Sequence, residues 1–167
     1  FGENKVQEAI EKWTEIKASK TNIQLHMIGK LQTNKVKFAV KIFDYIHSLD
    51  NEKLAKKIAE EQIKQNVRPK IFIQLNLGNE SQKSGIIKEN LLDFYNFSKD
   101  LDLNIIGIMC IPPFNEDSTK YFSQMSELNE LINLKELSMG MSSDYLNAIE
   151  HKSTYLRIGS NIFGQRG

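Results

Sequence analysis

Short apolar runs alternate with longer amphipathic stretches along this chain, the former with the two-residue period of strands and the latter with the 3.6-residue period of helices. Strands are expected near Ile23–Ile28, Phe43–His47, Ile71–Leu75, Ile105–Met109, Glu136–Met139 and Tyr155–Ile158. Helices are expected at Lys5–Lys17, Asn34–Lys41, Asn51–Gln65, Lys88–Ser98, Asp117–Leu131 and Ser143–His151. Val6, Ile10, Trp13 and Ile16 share one face of the first helix, while Tyr121, Met125, Leu128 and Leu131 form the stripe of the fifth. Asp50 and Ser142 stand where N-caps belong. Pro112-Pro113 with Asn115 reads as a loop following a strand.

Strict strand–helix alternation argues for a parallel sheet covered by helices, which an open doubly wound sheet and a closed barrel both satisfy. The last quarter of the chain favours the barrel. Leu137-Ser138-Met139-Gly140-Met141-Ser142-Ser143-Asp144 and Arg157-Ile158-Gly159-Ser160-Asn161-Ile162-Phe163-Gly164 each carry a short apolar strand into a small-residue turn at a helix start. Backbone N–H groups at such starts have no internal partner and suit a phosphate. Two in succession match the phosphate grip of a (β/α)8 barrel, which has about 250 residues. Six strand–helix units are visible in the 167 residues. The expectation is therefore an α/β fold of the (β/α)8 TIM-barrel type, lacking about two N-terminal strands and one helix, with residues 1–167 as a single incomplete domain.

Composition narrows the function classes. A net charge of +1, with lysines scattered among acidic residues, leaves no basic footprint for nucleic acid. The single cysteine, Cys110, excludes an internal disulfide framework and suits a reducing compartment. No apolar run approaches the roughly 20 residues that span a bilayer. With no secretory leader visible, the cytoplasm is the expected location.

In the last strand Leu156 and Ile158 are the apolar set, which turns Tyr155 and Arg157 inward. Arg157 there is either a structural ion pair or a ligand contact, and Gly159-Ser160 beside it tilts the balance to a ligand. Ser142 and Ser160 are N-caps on the bland reading and phosphate ligands on the sharper one. Gln74 and Asn76 alternate against Ile71, Ile73 and Leu75 and are expected to face the lumen. Lys83 lies in a loop at the C-terminal end of that strand, where barrel chemistry resides, or is simply solvated there. His26 among apolar neighbours reads first as a core histidine. His26, His47 and His151 give no metal spacing, so no metal site is expected. Ser142 lacks the second glycine of a nucleophile elbow, and there is no phosphate-binding P-loop or Gly-x-Gly-x-x-Gly run.

Several stretches, in order, resemble one family. They are Phe1-Gly2-Glu3-Asn4-Lys5-Val6-Gln7-Glu8, His26-Met27-Ile28-Gly29-Lys30-Leu31-Gln32-Thr33-Asn34-Lys35, Ile46-His47-Ser48-Leu49-Asp50, Lys83-Ser84-Gly85, Leu137 to Asp144 and Arg157 to Gly164. Together they resemble the pyridoxal phosphate homeostasis proteins, also called the proline synthase co-transcribed bacterial homologue family. The resemblance implies a single-domain barrel like the N-terminal domain of alanine racemase, binding pyridoxal 5′-phosphate (PLP) through one lysine. It implies that Ser142, Gly159 and Ser160 hold the phosphate with the Met141 backbone beside them. It sets Arg157 against the pyridine nitrogen, Asn4 and His26 near the cofactor, and Lys83 as a secondary PLP contact. The family's Schiff-base lysine sits in an Ala-Val-Ser-Lys-type strand, so it is expected upstream of Phe1. Lys30, Lys35 and Lys83 are not its equivalents. The implied role is a PLP carrier or buffer, monomeric at full length, with PLP-dependent apoenzymes as recipients and no catalytic residue. The alternative is a PLP-dependent racemase of alanine racemase type.

Overall fold

Among the described residues each strand hands the chain to a helix, and all but the short last helix bury residues. The computed structural model describes residues 1–20, 22–78, 80 and 82–164. Its elements are β1 (Gly2–Glu3), α1 (Val6–Ser19), β2 (His26–Met27), α2 (Val36–Ile42), β3 (Tyr45–Leu49), α3 (Glu52–Gln65), β4 (Lys70–Leu75), α4 (Leu91–Asp100), β5 (Ile105–Cys110), α5 (Thr119–Leu131), β6 (Glu136–Met141), α6 (Tyr145–Glu150), β7 (Tyr155–Arg157) and α7 (Ser160–Phe163). The seven strands pair in sequence order, all parallel. Two 3-10 turns, Thr33–Lys35 and Lys88–Asn90, lead into α2 and α4 where the periodicity suggested single helices.

The sheet curls into a nearly closed barrel. The Tyr155 ring of β7 lies 5.9 Å from the His26 ring of β2 and 5.6 Å from the Tyr45 ring of β3, across the lumen. Among the described residues seven strands are present where six were expected, and the extra one is β1. Two residues are too few to carry a period, but His26 N–H donates to Phe1 O at 2.8 Å and Ile28 N–H to Glu3 O at 3.0 Å. The sheet is thus one strand, rather than two, short of eight.

Alternation along β4 separates two packing layers. Ile71, Ile73 and Leu75 join the large apolar layer beneath the helices, whereas Phe72 turns into the lumen with Tyr45 and Met109. Likewise Leu156 packs outward and Tyr155 inward, as expected. Each fully buried aliphatic side chain of the outer layer contributes roughly 1.5–3 kcal/mol.

Three local expectations are corrected. The N-cap of α3 is Asn51 and not Asp50, because Asn51 Oδ1 accepts from Leu54 N–H at 2.9 Å. In α5 the core stripe ends on buried Ile132 while Leu131 is 69% exposed. From Tyr121, position 132 returns to the buried face at about 100° per residue and position 131 does not. Ser142 does not cap α6, a point taken up below.

Candidate functional site

The loops after β6 and β7 meet at the C-terminal mouth of the barrel. Gly140 has φ +90°, and a Cβ there would stand 2.5 Å from the Ala148 Cβ, so this turn requires glycine. Met141 N–H donates to Asp144 Oδ1 at 2.7 Å, and Asp144 takes the N-cap position of α6. Ser142 is thereby left for the neighbouring loop: its Oγ accepts from Gly159 N–H at 3.3 Å, and its carbonyl accepts from Asn161 Nδ2 at 3.1 Å. Ser160 is the exposed first residue of α7. The helices here have six and four residues. An anion at this place would meet local N–H and hydroxyl donors, not the summed dipole of a long helix. Of the backbone donors here, Met141 N–H is held by Asp144 and Gly159 N–H by the Ser142 hydroxyl.

Behind these loops lies the Arg157 guanidinium. It donates from Nη1 to Ser138 Oγ and from Nη2 to Cys110 O, both at 2.8 Å. It forms no ion pair among the described residues. Burial pulls its pKa below the ordinary arginine value, with Asp144 acting in the opposite sense. Deeper in the lumen, Ser138 Oγ lies 2.8 Å from His47 Nδ1, and His47 Nε2 lies 3.0 Å from His26 Nδ1. Burial drives His47 down to about 2, helped by the neighbouring His26 and Arg157. Burial also lowers His26 to about 4. His26 stacks on Tyr45 at 4.1 Å, at the first position of β2.

Across the mouth is a cavity of about 340 Å³ whose walls include Asn4, Lys30, Gln74, Asn76 and Lys83. Lys83 is ion-paired with Glu80 at 2.6 Å and donates to Pro112 O at 3.3 Å, so it is anchored rather than simply solvated. Gln74 and Asn76 line the cavity, but their amides mainly pin the following loop. Gln74 Nε2 donates to Ser84 O at 3.1 Å and Asn76 Nδ2 to Glu80 O at 2.9 Å. A larger groove of about 720 Å³, between Thr33–Asn34 and the Lys53–Lys56–Lys57 face of α3, shares no residue with the predicted site. Cys110 is buried, and burial pushes its thiol up to about 12. No group of three or more His, Cys, Asp or Glu side chains suited to a metal ion occurs among the described residues.

The predicted residues thus fall into three connected sets: Ser142 with Gly159–Ser160, Arg157 with His26 through a hydrogen-bonded chain, and Asn4 with Lys83 at the mouth. The second and third sets adjoin at Cys110–Ile111, since Arg157 bonds the Cys110 carbonyl and Ile111 lines the cavity.

The family model for the alanine racemase N-terminal domain matches residues 1–167. The pyridoxal phosphate homeostasis protein of Aquifex aeolicus is 38% identical over 99% of this chain and 76% of its own length. The chain belongs to the pyridoxal phosphate homeostasis protein family. Structures of a member of that family, PipY from Synechococcus elongatus, exist without PLP and with PLP bound. Both match this fold at a TM-score of 0.90, with 35% and 33% identity, over 98% of this chain and 81% of theirs. Sequence reasoning overlooked His47 and Ser138 as the link between Arg157 and His26. The available signal was a polar residue on each strand, Ser138 between Leu137 and Met139 and His47 two positions after Tyr45, at the inward register. It lay hidden because β3 is buried on both faces.

Proposed function

We propose that this chain binds pyridoxal 5′-phosphate at the mouth of its barrel and serves the homeostasis of that cofactor as a carrier, in the cytoplasm, without turnover of its own. Ser142, Gly159 and Ser160 hold the phosphate and Arg157 faces the pyridine nitrogen, with Asn4 and Lys83 on the opposite wall. PLP-dependent apoenzymes are the recipients.

The observation that carries this reading is Arg157. Arg157 is half-buried, and a guanidinium so placed without a carboxylate partner loses hydration that another acceptor must replace. Among the described residues, only two of its five N–H donors find a partner. An unprotonated pyridine nitrogen is such an acceptor. Gly159 fits the same occupant: a Cβ there would meet nothing within 4 Å, so the protein's own packing does not require glycine, whereas close approach of a phosphate would.

When bound, the cofactor supplies an electron-accepting ring. The guanidinium, charged at all ordinary pH values, keeps the ring nitrogen unprotonated and weakens that capacity. The chain's other titratable groups in and around the lumen are committed. His26 and His47 are neutral and bonded to one another, burial keeps the Tyr155 phenol protonated, and the Cys110 thiol, turned to the outer layer, is held protonated too. Lys83 is paired with Glu80. None of them is a free acid–base group aimed at the mouth, which supports a carrier over a racemase. Among the described residues, no helix is long and apolar enough to cross a membrane.

The test is to titrate the protein with PLP, remove free cofactor, and incubate the complex with L-alanine and L-serine. The expected result is one-to-one binding that inorganic phosphate competes against, with no enantiomer formed faster than by free PLP. Sustained racemisation would overturn the carrier reading, and absence of binding would overturn the PLP reading.

A further inference from the structure

The hydrogen-bonded chain in the lumen has only one consistent direction. A guanidinium can only donate, so Arg157 Nη1–H points at Ser138 Oγ. Ser138 is fully buried, and among the described residues His47 is the only other partner of its hydroxyl. If His47 Nδ1 carried a proton and donated as well, the serine hydrogen would be left buried and unsatisfied, a loss that proteins avoid. Ser138 therefore donates to His47 Nδ1, which must be bare. A neutral His47 then carries its proton on Nε2, 3.0 Å from His26 Nδ1, and donates there. His26 in turn keeps its own proton on Nε2. Stacking fixes the two rings in place: His26 on Tyr45 at 4.1 Å, and His47 on Phe72 at 4.3 Å.

The consequence reaches the mouth. Ser138 offers Arg157 a lone pair only because its hydrogen is drawn away by His47. Without that acceptor, the hydroxyl is free to rotate and present its hydrogen towards the guanidinium, where it repels.

We infer that His47, acting through Ser138 and held in its Nε2–H form by His26, is the positioning residue for the Arg157 guanidinium. Through this chain the three set the direction and distance of the guanidinium that faces the phosphorylated ligand. This deepens the PLP reading and rests on it for the identity of the ligand. The hydrogen-bond directions themselves stand on the protein alone.

The experiment uses pyridoxine 5′-phosphate as the probe, because it has the ring and phosphate but no aldehyde, so its binding reports these contacts without a covalent bond. His47→Leu removes the acceptor, and His47→Asn keeps an acceptor oxygen near the Nδ1 position. His47→Leu and Ser138→Ala are each expected to weaken binding about tenfold, the scale of one buried hydrogen bond. The double variant should bind no worse than either single one, because both cut the same chain. His47→Asn should stay within about threefold of the unaltered protein, and in the bound ligand only His47→Leu and Ser138→Ala should shift the absorption that reports ring-nitrogen protonation. Equal effects of Leu and Asn, or additive losses in the double variant, would overturn the inference while leaving the PLP reading intact. Nitrogen NMR of the unaltered protein gives an independent answer: His47 should show a bare Nδ1 and a protonated Nε2. The opposite tautomer overturns the inference even if all variants misfold. Failure of the unaltered protein to bind the probe contradicts the PLP reading alone, since the tautomer measurement still decides the chain.

Discussion

On β4, Ile71 and Ile73 look outward into a dry aliphatic layer, while Phe72 between them looks into a lumen shared with His47 and Tyr155. The outer layer is held by area: Phe122, Ile58, Leu54 and Met125 are all fully buried and non-directional. The lumen is held by direction: rings stacked at 4–6 Å and one hydrogen-bonded chain from Arg157 to His26. Hydrophobic burial tolerates many side chains of similar volume, whereas a one-way chain of donors tolerates few. On the proposed reading the two faces of one sheet thus divide the labour, stability outside and ligand geometry inside.

The largest expected effect tests the outer half of that comparison. Phe122→Ala should destabilise the fold by about 3–5 kcal/mol in urea unfolding, the range for truncating a buried phenylalanine. PLP affinity measured where the variant is still folded should be unchanged. A specific loss of affinity with little loss of stability would erase the division.

Next is the pH response of the lumen. In the fold His47 is held at about 2 and His26 at about 4, while both return to about 6.5 on unfolding. The unfolded chain therefore binds more protons below pH 6.5, and stability falls as the pH drops from 7 to 5. For the 2%-exposed His47 the loss is on the order of 1–2 kcal/mol, and partly exposed His26 adds in the same direction. Thermal unfolding at the two pH values should show it, and His47→Asn should remove most of it. A pH-independent midpoint in the unaltered protein would mean that the lumen is wet.

The smallest effect calibrates a directional bond in the outer layer. Asn51→Ala should cost about 1 kcal/mol through the lost cap, and Asp50→Ala close to nothing. Equal costs would restore Asp50 as the cap.

The larger elements were legible because each buries one face. The 3.6-residue stripe of Val6, Ile10, Trp13 and Ile16 and the alternation of Tyr155 with Leu156 reappear in the packing. Elements without a period were not legible. β1 has two residues and is defined by its partner strand. β2 was drawn from Ile23 but pairs only over His26–Met27. Caps failed for a related reason: Asp50 and Asn51 are adjacent cap-type residues, and only geometry distinguishes them. The inward register of Arg157 and the meeting of the Ser142 and Gly159 loops could be read from alternation and motif order. The committed Met141 N–H, the loop-pinning amides of Gln74 and Asn76, and the His47–Ser138 contact could not. The last joins residues 91 positions apart, and no local pattern encodes it.

The most direct test of the central claim is amide NMR of the protein titrated with pyridoxine 5′-phosphate. The account predicts that the Gly159 and Ser160 N–H resonances, with the Arg157 side chain, show the largest shifts and that Phe122 and Ile58 show none. Saturable binding whose shifts fall elsewhere, with Gly159, Ser160 and Arg157 unmoved, would contradict it.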